Sequence, residues 1–532
     1  MDVLGVVPIF MSAGAAALPT LLAAVTSVTA VLLKPKEFLR ICRQRPGMVS
    51  AVAATIIVVV AAGTWLWMKP ASAAASVSQT GGIAPAGPAT HYDWAAIAQN
   101  ILNEHQQGRP YTKIAGTASA APYVLMRDFT RCAYDGGAAP AELFPAWTYR
   151  YVRSKASSAS FFSSPAVAGN RIYAAGAYPD AGYIGVIACV DATTGKQLWA
   201  INKAGDDFLK GFFSSPAVTQ DGKYVIIGEG FHDDENCQLR CYDANDGRLR
   251  WGVTTSLHIE SSPAIFGDLA VVGCGAIEGP DHKATGDTGH VLAVRISDGK
   301  EMWRQPVIDP ESSPAIDDAG MVYIGSGFNG SAVVAIRSDS DAVLREKHLD
   351  RVAWKTPVAQ PVTSAITLAG DLVIAGSGNS DFVYADPHPE GNVIALERAT
   401  GKVRWQRKFP DAVLGALAAR DGKVICSVRT GEVAALDLGD GHILWQTPVS
   451  GQAPVLAGCA FTGKYVYAVS DDGWLAILDG ADGKVLSKKL LNDQNVPSEG
   501  KCLSGPQISN GRLIVGSETG GLRCFVGPRS GE

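Results

Sequence analysis

Asp191-Ala-Thr-Thr-Gly-Lys-Gln-Leu-Trp199 recurs 52 residues later as Asp243-Ala-Asn-Asp-Gly-Arg-Leu-Arg-Trp251. Shorter copies follow: Ser297-Asp-Gly-Lys-Glu-Met-Trp303, Ala399-Thr-Gly-Lys-Val-Arg-Trp405 and Gly439-Asp-Gly-His-Ile-Leu-Trp445. Ala481-Asp-Gly-Lys-Val-Leu486 keeps the turn and loses the tryptophan. An Asp-Gly or Thr-Gly pair between β-branched runs favours a tight hairpin. Tryptophan sets the register: Trp147, Trp199, Trp251, Trp303, Trp354, Trp405 and Trp445 lie 52, 52, 52, 51, 51 and 40 residues apart, and Leu486 takes an eighth place 41 residues on. A second landmark, Ser-Ser-Pro-Ala, begins at Ser163, Ser214, Ser261 and Ser312, with degenerate forms at Thr363, Leu414, Ala457 and Ser504. The chain therefore holds eight units.

Each unit reads as four short strands. Ser-Ser-Pro-Ala-Val opens strand a, Lys223-Tyr-Val-Ile-Ile-Gly228 typifies strand b, Gln238-Leu-Arg-Cys-Tyr-Asp243 strand c, and strand d ends at the tryptophan. Four antiparallel strands repeated at this period signify an all-β, eight-bladed propeller of four-stranded blades. The last unit stops at Cys524-Phe-Val526 without a strand d, whereas Trp147 precedes the first strand a. The strand around Trp147 is thus expected to complete the last blade and lock the ring. The domain plan is a membrane anchor over 1–70, a linker and N-terminal extension over 71–143, and the propeller over 144–527.

The chain has 532 residues, 47% apolar and only 18% charged, which excludes a disordered chain. Its 58 glycines fit repeated turns, and with a net charge of -5 nothing in the bulk charge points to a nucleic acid, so no nucleic-acid partner is expected. The low charge is partly local. No charged residue occurs from Val3 to Leu33 or from Pro46 to Met68, and about 20 apolar residues span a bilayer as a helix. Trp65 and Trp67 stand where interfacial anchors would lie. The connector carries Lys34, Lys36, Arg40, Arg43 and Arg45 against Glu37. By the positive-inside rule this loop is cytoplasmic. The expectation is a transmembrane helical hairpin within residues 3–68, a two-pass anchor in a bacterial inner membrane with the propeller in the periplasm. The alternative is a secretory signal cleaved near Ala71-Ser72-Ala73.

With these repeats on view, the chain resembles the pyrroloquinoline-quinone-like (PQQ-like) repeat family, whose tryptophan-docking motif Ala-x-Asp-x-x-Thr-Gly-x-x-x-Trp is closest at Asp191–Trp199. The resemblance implies a propeller in which each tryptophan packs between neighbouring blades. The family contains quinoprotein dehydrogenases and non-enzymatic propellers of the BamB type. The dehydrogenases typically carry a vicinal Cys-Cys pair and a calcium site of Glu, Asn and Asp. No two of the ten cysteines here are adjacent. The non-enzymatic, BamB-like branch is the one favoured.

Histidines and acids gather in the connections between strands b and c: His232, Asp233, Asp234 and Glu235, then Asp281 and His282, then Asp381 and His388. In a propeller the b–c and d–a connections emerge on one face, and long loops there often mark a binding face. These residues are read as a partner or metal site on that rim or as solvated loop charges, and no metal ligand set is assigned. Glu260 and Glu311 precede Ser-Ser-Pro-Ala in consecutive repeats and are expected to neighbour each other at the central channel, as a cation site or as part of a wet polar wall. Cys189, Cys241 and Cys524 share one strand position with alanines, so they are read as small buried residues.

No residue pattern names a catalytic chemistry. The expected function is a membrane-anchored, outward-facing propeller that binds proteins or scaffolds a complex in the cell envelope, without a cofactor. The alternatives are a PQQ-dependent dehydrogenase, with PQQ and calcium bound, and an accessory subunit of a larger membrane complex.

Overall fold

The computed structural model describes residues 131–528, apart from 155–156, 179–182, 233, 278–282, 452, 492–501 and 519. The expected transmembrane hairpin falls outside the described residues. Eight four-stranded antiparallel sheets follow one another along the chain, each ordered a-b-c-d from the axis outward. In blade 1 the strands are Ala166–Ala168, Arg171–Tyr178, Ile184–Asp191 and Gln197–Ile201. Blade 8 takes Gln507–Ser509, Arg512–Ser517 and Gly521–Val526 from the C-terminal end and Phe144–Tyr149 as its outer strand. Trp147 faces Cys524 in that pairing, so the ring is closed by a hydrogen-bonded ladder between the two ends of the propeller.

Strands b and c are buried almost throughout, as in Ile184–Asp191 and Leu372–Gly378, while strands d expose much of their length. The cause is the radial stacking of sheets. Each inner strand is covered on both faces by neighbouring blades, so it reads as a continuous apolar run rather than an alternation. The hydrophobic clusters accordingly lie between blades: one joins blades 5 and 6 through Ile374, Trp405, Leu417 and Leu436, another joins blades 1 and 2 through Tyr173, Trp199, Ile227 and Tyr242.

Tryptophan docking has a repeated geometry. The indole Nε1 donates to a backbone carbonyl in the next blade: Trp147 to Ala192 (3.1 Å), Trp199 to Ala244 (3.1 Å), Trp251 to Ile296 (2.7 Å), Trp354 to Arg398 (3.0 Å) and Trp405 to Leu438 (2.9 Å). Trp445 reaches Gly480 at 3.4 Å. The ring lies on the glycine of that blade's c–d turn. A Cβ on Gly195, Gly247, Gly299, Gly401, Gly441 or Gly483 would stand only 2.4–2.7 Å from the ring of the preceding blade's tryptophan. The repeated Gly and the repeated Trp are therefore two halves of one contact, made across the blade boundary.

Two departures follow from this contact. In blade 4 the c–d turn is replaced by a helix, Asp341–Lys347, capped by Ser340. Trp303 there donates to Ser338, and the Arg351 guanidinium covers the ring at 4.7 Å in place of a glycine. Blade 8 has no c–d turn, because its outer strand arrives from the other end of the propeller. A tryptophan at the Leu486 position would have no such turn to dock on, and Leu486 is left 42% exposed.

The Ser-Ser-Pro-Ala motif is also explained by contacts within the ring. Its first serine accepts from strand b, as Ser261 Oγ does from Gly273 (3.1 Å) and Ser312 Oγ from Gly325 (2.6 Å). Its second serine links neighbours around the channel. Gly505 donates to Ser164, Ser164 to Ser215, Ser215 to Ser262 and Ser262 to Ser313, each backbone N to Oγ at 2.9–3.0 Å.

The docking contact is tested by paired glycine substitutions. Gly370 (φ +58°) has nothing within 4 Å of a new Cβ, so Gly370→Ala meets only left-handed strain of about 1–2 kcal/mol. Gly441 (φ +73°) has the Trp405 ring at 2.4 Å, and Gly441→Ala is expected to cost about 1–3 kcal/mol more from overpacking. Denaturant melts of both variants check this; equal losses would remove the contact from its role.

Candidate functional site

In blade 5 the first serine of the motif is Ser364, whose Oγ accepts from Gly376, and in blade 6 its equivalent is Gly415. Each lies one residue later than the sequence pattern placed it, so the innermost strands set one residue per blade just before the motif. Phe162, Phe213, Glu260, Glu311, Thr363, Leu414, Leu456 and Leu503 form a ring lining the channel cavity. Below it runs a ring of small side chains: Ser164, Ser215, Ser262, Ser313, Ala365, Ala416, Gly458 and Gly505. Residues 131–135 cross the other mouth. Arg131 donates to Ile366 (3.1 Å) and Pro314 (2.7 Å), Phe461 N to Cys132 O (2.8 Å), and Ile508 N to Ala133 O (2.8 Å). On the rim side Phe382, from the blade 5 b–c loop, meets Phe213 of blade 2 edge-on at 5.3 Å, so this loop reaches over the cavity.

Glu260 and Glu311 are thus channel residues in adjacent blades, set in a largely apolar ring. The rim loop of blade 2 brings His232 onto them: its Nδ1 lies 3.1 Å from Glu311 Oε1 and 3.6 Å from Glu260 Oε1. His258, 1% exposed, places Nε2 3.3 Å from the same Glu311 oxygen. The two imidazoles meet edge-on with centroids 5.2 Å apart. Burial raises the pKa of Glu260 although both histidines oppose the shift. Burial also disfavours a charge on His258, but its hydrogen bond to Glu311 and the charges of Glu260 and Glu311 outweigh it, leaving its pKa raised. Asp309, wholly buried, accepts from the backbone of Ala276 and Asn329. Burial and the Glu311 charge push its pKa to about 7.

The sequence reading missed His258 and Asp309. Both stand two residues before a channel glutamate, in His258-Ile-Glu260 and Asp309-Pro-Glu311, and that shared offset was the available signal. It did not show that His232, from a different loop, joins them.

The other described rim residues are engaged elsewhere. Asp234 accepts from Phe231 N and faces Lys210 Nζ at 4.0 Å, and the Glu235 carbonyl accepts from the same lysine. Asp381 turns its own loop by accepting from Val383 and Tyr384, and lines the cavity from blade 5. His388 is tied by its backbone to Asp386 and Asn379. Asp233, Asp281 and His282 lie outside the described residues. Nine cysteines are buried among the described residues.

The cavity encloses about 170 Å³, below the roughly 300–1,000 Å³ of organic-ligand pockets. Two imidazoles stand at its mouth, whereas calcium prefers an all-oxygen set. PQQ with calcium, which likeness to the dehydrogenases implies, does not fit the residues present.

Fold and channel together define the class: a closed eight-bladed propeller with tryptophan-docked blades and a narrow, plugged channel. Residues 146–387 and 350–532 match the family described as outer membrane protein assembly factor BamB, and the chain belongs to that family. A BamB of Yersinia pestis is 24% identical over 355 residues, covering 64% of this chain and 80% of that protein. The quinohemoprotein alcohol dehydrogenase ADH-IIG of Pseudomonas putida is 26% identical over 380 residues, covering 70% of this chain and 44% of that enzyme. The crystal structure of BamB from Moraxella catarrhalis superposes with a TM-score of 0.53 at 16% identity, over 74% of this chain and 99% of that one, and shows the same fold.

The BamB relatives correct the inner-membrane placement drawn from the charge pattern: they are outer membrane protein assembly factors by name. Among the described residues no helix is long and apolar enough to cross a membrane. The run at 3–68 on which the placement rested lies outside them, and loop charge orients a span without naming the membrane that holds it.

His290, which neighbours the rim acids in sequence, faces the blade core instead. It opens strand c of blade 3 and pairs with Cys274 of strand b, and its Nε2 is buried without a hydrogen-bond partner. Burial and then the Arg304 charge lower its pKa from 6.5 to about 4. The unfolded chain therefore takes up this proton first. Stability from His290 is whole above pH 6.5 and declines as pH falls toward 4, by up to roughly 2–3 kcal/mol. Between pH 7 and 4.5, His290→Leu is expected to lose less stability than the unsubstituted protein in denaturant titrations. Equal losses would disprove it.

Proposed function

We propose that this propeller is a protein-binding accessory in the assembly of outer membrane proteins, and that partners dock on the rim formed by its b–c and d–a connections. Membership in the BamB family supports the role. The observation that carries the location is the placement of exposed aromatic rings. Of the four large aromatics exposed among the described residues, Tyr183, Phe208 and Tyr384 lie on connections of that one face, and only Phe144 lies on an outer strand. Tyr384 is 72% exposed, with Val383 beside it at 56%. Exposed aromatic and apolar groups rimmed by polar ones mark interaction surfaces, and tyrosines are frequent anchors there. Asp234, Glu235 and His388 supply the polar rim. The helix Asp341–Lys347 belongs to the opposite face and serves as the contrast.

A photo-crosslinking residue at position 384 is expected to trap a component of outer-membrane protein assembly in intact cells, and one at position 346 is not. Tyr384→Ala, at an exposed site, is expected to weaken that association roughly tenfold, corresponding to about 1.4 kcal/mol, without lowering the melting temperature. Equal trapping from both positions would sink the rim assignment. Turnover of an alcohol or sugar by the purified protein with added PQQ and calcium would replace the accessory reading with an oxidoreductase.

A further inference from the structure

The rim-docking reading leaves the histidine–glutamate cluster at the channel mouth without a role. Its donors come from three consecutive blades: His232 from the b–c loop of blade 2, His258 and Glu260 from the entry to blade 3, and Glu311 from the entry to blade 4. His232 Nδ1 and His258 Nε2 converge on the same Glu311 oxygen, at 3.1 and 3.3 Å. A zinc ion with bonds of about 2.0–2.2 Å in tetrahedral geometry separates adjacent ligand atoms by roughly 3.3 Å. Both nitrogens already stand close to that spacing from the Glu311 oxygen, and all three donor atoms lie within 4.8 Å of one another. Glu260 Oε1, 3.6 Å from His232 Nδ1, flanks the same position.

The surroundings hold this geometry in place. His258 is buried, and its Nε2 sits against Gly275, where a Cβ would come within 2.2 Å. The Gly275 amide donates to the His258 carbonyl at 3.2 Å, which fixes the backbone that carries the ring. Asp309 adds a third carboxylate, two residues before Glu311. Ionised, Glu260 and Glu311 place two negative charges side by side in a mostly apolar ring, and a divalent cation offsets them. Two imidazole nitrogens with carboxylate oxygen suit zinc rather than calcium or magnesium.

We propose that His232, His258 and Glu311 bind one zinc(II) ion at the channel mouth. Three protein ligands leave the fourth tetrahedral position to a water. The ion ties the blade 2 rim loop to the inner strands of blades 3 and 4. This site is independent of the docking reading, because none of its ligands belongs to the exposed aromatic set.

The test uses the full-length protein, stripped with a chelator and titrated with zinc(II) by calorimetry and with cobalt(II) by visible absorption. One saturable zinc per chain, intense tetrahedral cobalt bands and a zinc-dependent rise in melting temperature are expected. His232→Ala, in a surface loop, and Glu311→Gln should each weaken binding by more than the roughly 10–100-fold that loss of an outer-shell partner costs. His442→Ala removes a histidine from the other grouping of candidate ligands, Asp437, Asp440 and His442, and should leave binding unchanged. Absence of saturable binding at micromolar zinc would overturn the site. So would stoichiometric binding that survives His232→Ala.

Discussion

The ring depends on an indole laid across the c–d turn of the next blade. The contact joins three requirements at one place: an N–H that needs an acceptor when buried, a carbonyl left free by the turn, and a glycine whose missing Cβ lets the ring approach. Each blade alone would leave both faces of its inner strands uncovered. Docking covers one face with the preceding blade and one with the following blade, so the apolar core is distributed among the interfaces. Loss of such a tryptophan removes contacts worth about 3–5 kcal/mol when fully buried.

Where the contact is altered, the reason is visible in the connectivity. Blade 4 trades its turn for a helix and substitutes the Arg351 guanidinium for the flat glycine surface. Blade 8 closes the ring by strand pairing and so has no c–d turn to receive an indole. The serine motif provides a second, inner set of links, running from blade 8 through blade 4 by backbone-to-hydroxyl hydrogen bonds. Outer and inner contacts together hold the eight inner strands in register, and this register makes one residue per blade face its seven equivalents across the channel.

That register is why the channel composition was partly readable. Glu260 and Glu311 could be placed side by side because they share one position in consecutive repeats, and His258 and Asp309 obey the same rule two residues earlier. His232 could not be placed so. It belongs to a b–c loop whose length and path have no counterpart in the other repeats, and only packing of Phe231 and the turn at Asp234 aims it inward. Asp381 looked equivalent in sequence, yet its carboxylate is spent on turning its own loop.

The repeat spacing, the Asp-Gly turns and the tryptophan register determined the strand order and blade number, because these arise from local hairpin chemistry and a contact repeated at fixed period. The membrane named from loop charge did not follow, because charge asymmetry orients a segment without identifying its bilayer. Tertiary structure alone decided which side chains meet at the channel mouth. Two imidazoles and two carboxylates from three blades come within hydrogen-bonding or near-hydrogen-bonding distance only when closure of the ring sets the angle between neighbouring blades, and that angle is a property of all eight interfaces at once.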